Sequence, residues 1–419
     1  MLAAAVALAL AAPSPVHLSA LLAEAKKQNP TLRALAAKAR AAHENAQAAG
    51  ALDDPMLMVQ LYQAPVDFAN VPLMLSVSQK LPLGGKIASR KAEAASMADG
   101  AGAALEAAER DVEARVTRDY VDLYLADRTV EIDAEVRKTL TELEKAAAAR
   151  VVAGEASEAE TLEIEGEIVA IDGDDAKARA KRDTASADLS AALGEEAPAT
   201  FGRAAAPSVV AVPAEATLLA KAFASRPELA QARAMIGAAQ ARLALAKESE
   251  VPDIGLSLGA MHVFAGTGGE GTINMISAGV SGNLPVFWRS KNEPRIDAAG
   301  ERLDEARAME AALRAEVAGE VAAAYAKARA ATQLVAIDQK LIPLARETVR
   351  TAIAGYIGGK AEFTLVLDGV RRELGRELSL VRDLASFEES LVGLDRAVGA
   401  GSELVAQSQP TAEPKGGAQ

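Results

Sequence analysis

Apolar residues along this chain follow two rhythms, and the two rhythms come in the same order twice. Long stretches carry apolar positions three, four and seven apart, the spacing of a helix face. Val112, Val116, Tyr120 and Leu123 make one stripe; Val121, Leu125, Ile132, Val136, Leu140 and Leu143 make a second on the same helix. The spacing is coiled-coil-like, and two seams on one helix require two neighbours, as in a ring of helices. Between the helical stretches the period drops to two. Leu73, Leu75 and Val77 alternate with Met74, Ser76 and Ser78. Ile254, Leu256 and Leu258 alternate with Gly255, Ser257 and Gly259, and Ile276, Ala278 and Val280 with Ser277, Gly279 and Ser281. Each reads as a strand with one apolar face. The segment 56–62, MLMVQLY, is ambiguous between the two periods.

The two passes match residue by residue at a nearly constant offset. Gln28-Asn29-Pro30 pairs with Ser225-Arg226-Pro227, Ser78-Gln79-Lys80-Leu81-Pro82 with Ser281-Gly282-Asn283-Leu284-Pro285, Tyr120 with Tyr325 and Gly154 with Gly358. An internal tandem duplication is the reading, two copies being too few for a solenoid. The first repeat runs 17–199: a helix over about 17–50, a β-hairpin at 55–82, a long helix at 85–152 and a return helix at 156–193. A linker covers 200–213. The second repeat runs 214–399: a helix over about 214–249, a β-hairpin at 252–286, a long helix at 289–355 and a return helix at 360–398. Each long helix would extend roughly 100 Å at about 1.5 Å per residue. The Pro-, Gly-, Ser- and Gln-rich end, 400–419, is expected to be disordered.

Four strands cannot close a barrel, and lipid does not tolerate an open sheet edge. Three chains would pool twelve strands, within the range of outer-membrane barrels. Lipid would meet Leu73, Leu75, Val77, Ile254, Leu256, Leu258 and Val280; the lumen would meet Ser76, Ser78, Lys80, Ser257, Ser277 and Ser281. Phe287 and Trp288, just past the last strand, fall where membrane-interface aromatics belong.

Composition narrows the picture. Half of the residues are hydrophobic but only 3% are aromatic, and alanine is the largest apolar contributor. Alanine favours helix and close helix approach over a bulky core. A net charge of −13 argues against a nucleic-acid partner. The absence of cysteine removes disulfides, thiolate metal sites, cysteine nucleophiles and a lipoprotein anchor. Residues 1–16 begin with the uncharged run MLAAAVALALAA and read as a signal peptide.

These residues resemble a known family. The tandem copy, the run Leu-Pro-Leu-Gly-Gly-Lys at 81–86, and the turns Arg150-Val-Val-Ala-Gly-Glu and Gly355-Tyr-Ile-Gly-Gly are similar to the TolC-like outer-membrane efflux family, over about 17–399. The style is nearest the heavy-metal-resistance branch. The resemblance implies a mostly α fold: long coiled-coil helices forming a trimeric α-barrel, plus four β-strands per chain in a 12-stranded transmembrane β-barrel. It implies a homotrimer in the outer membrane of a Gram-negative bacterium with a periplasmic extension. Its partners would be a periplasmic adaptor (a membrane fusion protein) and an inner-membrane pump of the resistance-nodulation-division type. The turns at Gly154, Gly358 and Gly359 would form the adaptor-docking tip. By position, Glu160 and Asp368 would take the acidic places of a periplasmic gate and Tyr356 the tyrosine place. Leu365 stands where some members carry a second acid. Ala361 stands in the basic place, with Lys360 adjacent.

No catalytic or cofactor chemistry is legible. Leu83-Gly84-Gly85-Lys86-Ile87 lacks the first glycine and the hydroxyl residue of a phosphate-binding loop. His17, His43 and His262 lack helical-spaced partners for a metal site. The chain is read as a passive exit duct rather than an enzyme, with heavy-metal cations, drugs or secreted polypeptide as cargo. The competing reading is a soluble periplasmic coiled-coil scaffold or adaptor, which would have no use for two lipid-compatible hairpins.

Overall fold

The computed structural model describes residues 16–61, 73–263 and 273–409. The expected signal peptide, except Val16, and the loops of both hairpins lie outside the described residues. Elements run in the order α1 (Leu18–Gln28), α2 (Pro30–Ala48), β1 (Met56–Leu61), β2 (Leu73–Leu81), α3 (Lys86–Val152), α4 (Glu158–Leu193). The order then recurs: α5 (Glu215–Ser225), α6 (Pro227–Glu248), β3 (Ile254–Val263), β4 (Ile273–Gly282), α7 (Glu293–Ile357), α8 (Phe363–Val398). A π-helical turn, Trp288–Asn292, precedes α7, and a short α9 (Glu403–Ser408) ends the series.

Three boundaries differ from expectation. The helices expected over 17–50 and 214–249 are each two helices, broken at Asn29–Pro30 and Arg226–Pro227. Proline is comfortable at a helix start but drives the preceding residue out of helical ψ. Asn29 and Arg226 sit at ψ of 120° and 122°. Asn29 Oδ1 then accepts the Thr31 and Leu32 amides, capping α2. The described part of the ambiguous segment, Met56–Leu61, is strand β1; Tyr62 lies outside the described residues. The third difference is at the C-terminal end. Within the expected disordered tail, α9 is folded with Val405 and Ser408 buried. Asp395 of α8 accepts the Leu404 and Val405 amides, and buried Glu388 accepts the Ser408 hydroxyl and the Gln409 amide.

The chain forms two compact units. Among the described residues, one comprises 16–33, 106–226 and 315–409; the other comprises 34–61, 73–105, 227–263 and 273–314. In the first, α3, α4, α7 and α8 share a core of Ile132, Leu140, Leu143, Ile164, Val366 and Leu367. Both sequence stripes of α3 are used: Val116, Tyr120 and Leu123 are buried, and so are Ile132, Val136 and Leu140. Tyr120 adds a polar tie, its hydroxyl accepting the Ala205 amide at 2.8 Å.

The second unit holds a four-stranded antiparallel sheet in the order β1-β2-β3-β4. The register places Leu57, Val59, Leu75, Val77, Leu256, Leu258, Ile276 and Val280 on one face. Ser76, Ser78, Lys80, Ser257, Ser277 and Ser281 lie on the other. Most of the apolar face is solvent-exposed in the single chain. Among the described residues, β1 and β4 each have one unpaired edge. No described helix is long and apolar enough to cross a membrane.

Candidate functional site

The helix ends at Gly154 and Gly359 are built alike. The Glu155 amide bonds Arg150 O at 2.9 Å and the Gly154 amide bonds Val151 O at 3.0 Å. In the second repeat the Lys360 amide bonds Gly355 O at 2.8 Å and the Gly359 amide bonds Tyr356 O at 3.0 Å. Both are Schellman turns, which need a left-handed residue after the helix. Gly154 and Gly359 supply it at φ 73° and 67°. The structural counterpart of Gly154 is therefore Gly359 and not Gly358, whose amide still bonds Ala354 O in helical fashion.

Glu160 and Tyr356 meet at these turns. Tyr356 is 1% exposed and its hydroxyl donates to Glu160 Oε2 at 2.6 Å. Burial first, then the Glu160 carboxylate, pushes the tyrosine pKa up to about 12. The same Glu160 serves α4 as a capping residue. Its Oε1 accepts the Ser157 amide at 3.5 Å while Ser157 Oγ accepts the Ala159 amide. The Glu160 carboxylate is thus engaged within its own chain.

Arg150 is the residue that sequence reasoning missed here. Its guanidinium carbon lies 4.4 Å from the Tyr356 ring centroid, and it donates to Tyr356 O at 2.8 Å and to Glu155 O at 3.2 Å. The cation comes from the opposite repeat, not from Lys360 or its neighbour Ala361. Arg150 stood inside the recognised turn Arg150-Val-Val-Ala-Gly-Glu, and a search for cations in both turns would have found it. Farther along, Arg371 of α8 bonds Glu167 of α4. Asp368 is not brought to the Glu160–Tyr356 pair. It is largely exposed, with Arg371 Nη1 at 3.8 Å.

At the sheet, Lys86 of the glycine run is a structural cation. It is 6% exposed and donates to Asp253 Oδ1 and to Val251 O, both at 2.5 Å. Lys80 approaches the other oxygen of Asp253 at 3.1 Å. In the π-helical turn, the Asn292 side chain donates to Ser249 O at 3.4 Å. Phe287 and Trp288 follow β4 and are exposed, beside exposed Leu284 and Val286. Arg289 lies 5.8 Å over the Trp288 ring. His262 pairs with Asn274 across β3 and β4. Among the described residues no three His, Asp or Glu side chains gather as a metal site.

Long helices with paired turns, joined in sequence to strands with one largely apolar face, define a chain of an outer-membrane channel. Such strands have no place in a soluble scaffold. The chain belongs to the outer membrane efflux protein family, which it matches over residues 21–195 and 218–400. It is 26% identical over 324 residues to the cobalt-zinc-cadmium resistance protein CzcC of Cupriavidus metallidurans, covering 76% of this chain and 75% of that one. Its fold is like that of CusC, whose structures concern folding and transmembrane channel formation, with a TM-score of 0.79 at 18% identity over 93% of both chains. It is also like the outer membrane protein VceC of Vibrio cholerae, with a TM-score of 0.76 at 19% identity over 92% of this chain and 97% of that one. The protein is an outer-membrane efflux channel.

Proposed function

We propose that three copies of this chain assemble into one duct: twelve pooled strands close a barrel in the outer membrane, and their helices form an α-barrel extending into the periplasm. The carrying observation is the four-stranded sheet, with one apolar face and an unpaired edge at either side. Closure between copies pairs those edges and leaves the apolar face to lipid. Phe287 and Trp288 sit at the lipid–water boundary.

The turns at Gly154, Gly358 and Gly359 dock a periplasmic adaptor, which couples the duct to an inner-membrane pump of the resistance-nodulation-division type. Glu160 and Tyr356 hold the periplasmic mouth closed, and Asp368 contributes an exposed carboxylate there. The cargo is heavy-metal cations, a reading supported by the likeness to a cobalt-zinc-cadmium resistance protein. The test is membrane fractionation followed by native mass spectrometry in mild detergent. Trimers in the outer-membrane fraction are expected; a monomer in the soluble periplasm overturns the assembly.

A further inference from the structure

The sheet register unites three side chains far apart in the sequence. Met74 of β2 lies directly opposite Met261 of β3, and Met261 directly opposite Met275 of β4. Gln60 of β1 continues the row beyond Met74. Successive strand residues alternate between faces, so this row shares its face with Ser76, Ser257 and Ser277. The other two strand methionines, Met56 and Met58, oppose Ser78 and Ser76 and belong to the same face. All five methionines of the described strands therefore lie on the polar face. The apolar face carries Leu, Ile, Val and Ala, with Gln79, His262 and Asn274 as polar members, and no described Met. Methionine used merely as apolar bulk would fall on the apolar face. Described aliphatic side chains on the methionine face are confined to Val263 and Ile273, beside Met261 and Met275; elsewhere the methionines stand among serines and glycines, and that placement calls for another cause.

Directly opposed residues in antiparallel strands hold their Cβ atoms about 4.5–5.5 Å apart. Three flexible thioether arms on such a grid can converge on one ion. The neighbouring row offers floor space: a Cβ on Gly259 would come within 3.1 Å of the Met74 methyl and 2.8 Å of Ser277 Oγ. Thioether sulfur selects soft d10 monovalent ions, while Zn(II) and Co(II) take imidazole, carboxylate or thiolate. The row holds none of those. His262 is on the opposite face and bonded to Asn274. Lys80 on the methionine face is six residues along β2 from Met74, about 20 Å away.

We infer that Met74, Met261 and Met275 form a thioether site for a soft monovalent cation, Cu(I) or Ag(I), on the polar face of the sheet. Neutral sulfur donors release such an ion readily, which suits a stepping point more than a store. Its role in export rests on the channel reading above; the binding itself does not, since one chain supplies the whole row.

The test titrates the purified full-length protein with Ag(I), in a chain with no cysteine to compete. One Ag(I) per chain is expected, with sulfur as the nearest scatterer in X-ray absorption. Replacing all three residues by Leu, which keeps their volume, should weaken binding at least about tenfold while leaving the assembly state unchanged. Met97, Met235 and Met309 line a separate groove of about 580 Å³ among helices. Their triple Leu variant should bind as the parent does. Three results would each overturn the site: full binding in the strand variant, loss in the helical variant alone, or oxygen and nitrogen scatterers in the parent protein. The last needs no variant to fold. A parent protein that is not trimeric but binds Ag(I) at sulfur would count against the proposed assembly and not against the site.

Discussion

At Glu160 one carboxylate serves two partners: one oxygen closes the cap of α4 and the other accepts the Tyr356 hydroxyl. A hydrogen bond to a charged group is worth about 1.5–3 kcal/mol. Tyr356→Phe should therefore loosen both turns by an amount near the low end of that range. Faster amide exchange over 150–163 and 354–365, with raised conductance in planar bilayers, would register it. Asp368→Asn should leave that exchange unchanged, because its nearest cation is a loose 3.8 Å away. The glycines act through the backbone. Gly154→Ala or Gly359→Ala forces an L residue into left-handed φ at about 1–2 kcal/mol each, whereas Gly358→Ala costs less. Thermal melting of the three variants checks the order. Glu160 and Tyr356 were legible by position in the sequence. Arg150 was visible as a cation in the first turn, but its partner was not, being a residue 206 positions away in the other repeat.

Among the elements, α9 shows where sequence reading fails. Six residues in a Gly- and Gln-rich tail carry too little pattern to declare a helix. What holds α9 is remote: Asp395 and Glu388 on α8, reaching across the turn after Gly399. Burial is the main cause that lifts Asp395 from 3.8 to about 7, and it lifts Glu388 as well. A carboxyl with a raised docked-state pKa favours the docked state when protonated. Docking of α9 should therefore be strongest near pH 4 and weaken as pH rises from about 4 through about 7. A spin label on Gln407→Cys, the only thiol in the chain, should become more mobile over that window, and Asp395→Asn should flatten the response. The hairpins were legible because one face must suit lipid, which fixes a period of two. The pairing of β2 with β3 was not, since no local turn joins them, and with it the methionine row stayed hidden. The breaks at Pro30 and Pro227 were visible as residues, but helical periodicity continued across them.

Over the whole molecule, the two faces of the sheet set opposite tolerances. Leu258→Arg puts a charge on the lipid face, which costs about 2–4 kcal/mol near a bilayer midplane. It should sharply lower the yield of trimer in outer membranes. Ser257→Arg, one residue away on the polar face, should assemble normally and alter ion conductance instead. Heat-modifiable migration of membrane-extracted protein distinguishes the two. The bond between Tyr356 and Glu160 has a further consequence at this scale. It ties the second repeat to the first inside a single chain, so in the proposed trimer each subunit would carry its own bolt. Three bolts that release independently make a stepped aperture and not an all-or-none one. Single-channel records at mild denaturant should then show two sub-levels between shut and fully open, and Tyr356→Phe should shift their occupancy without creating new levels.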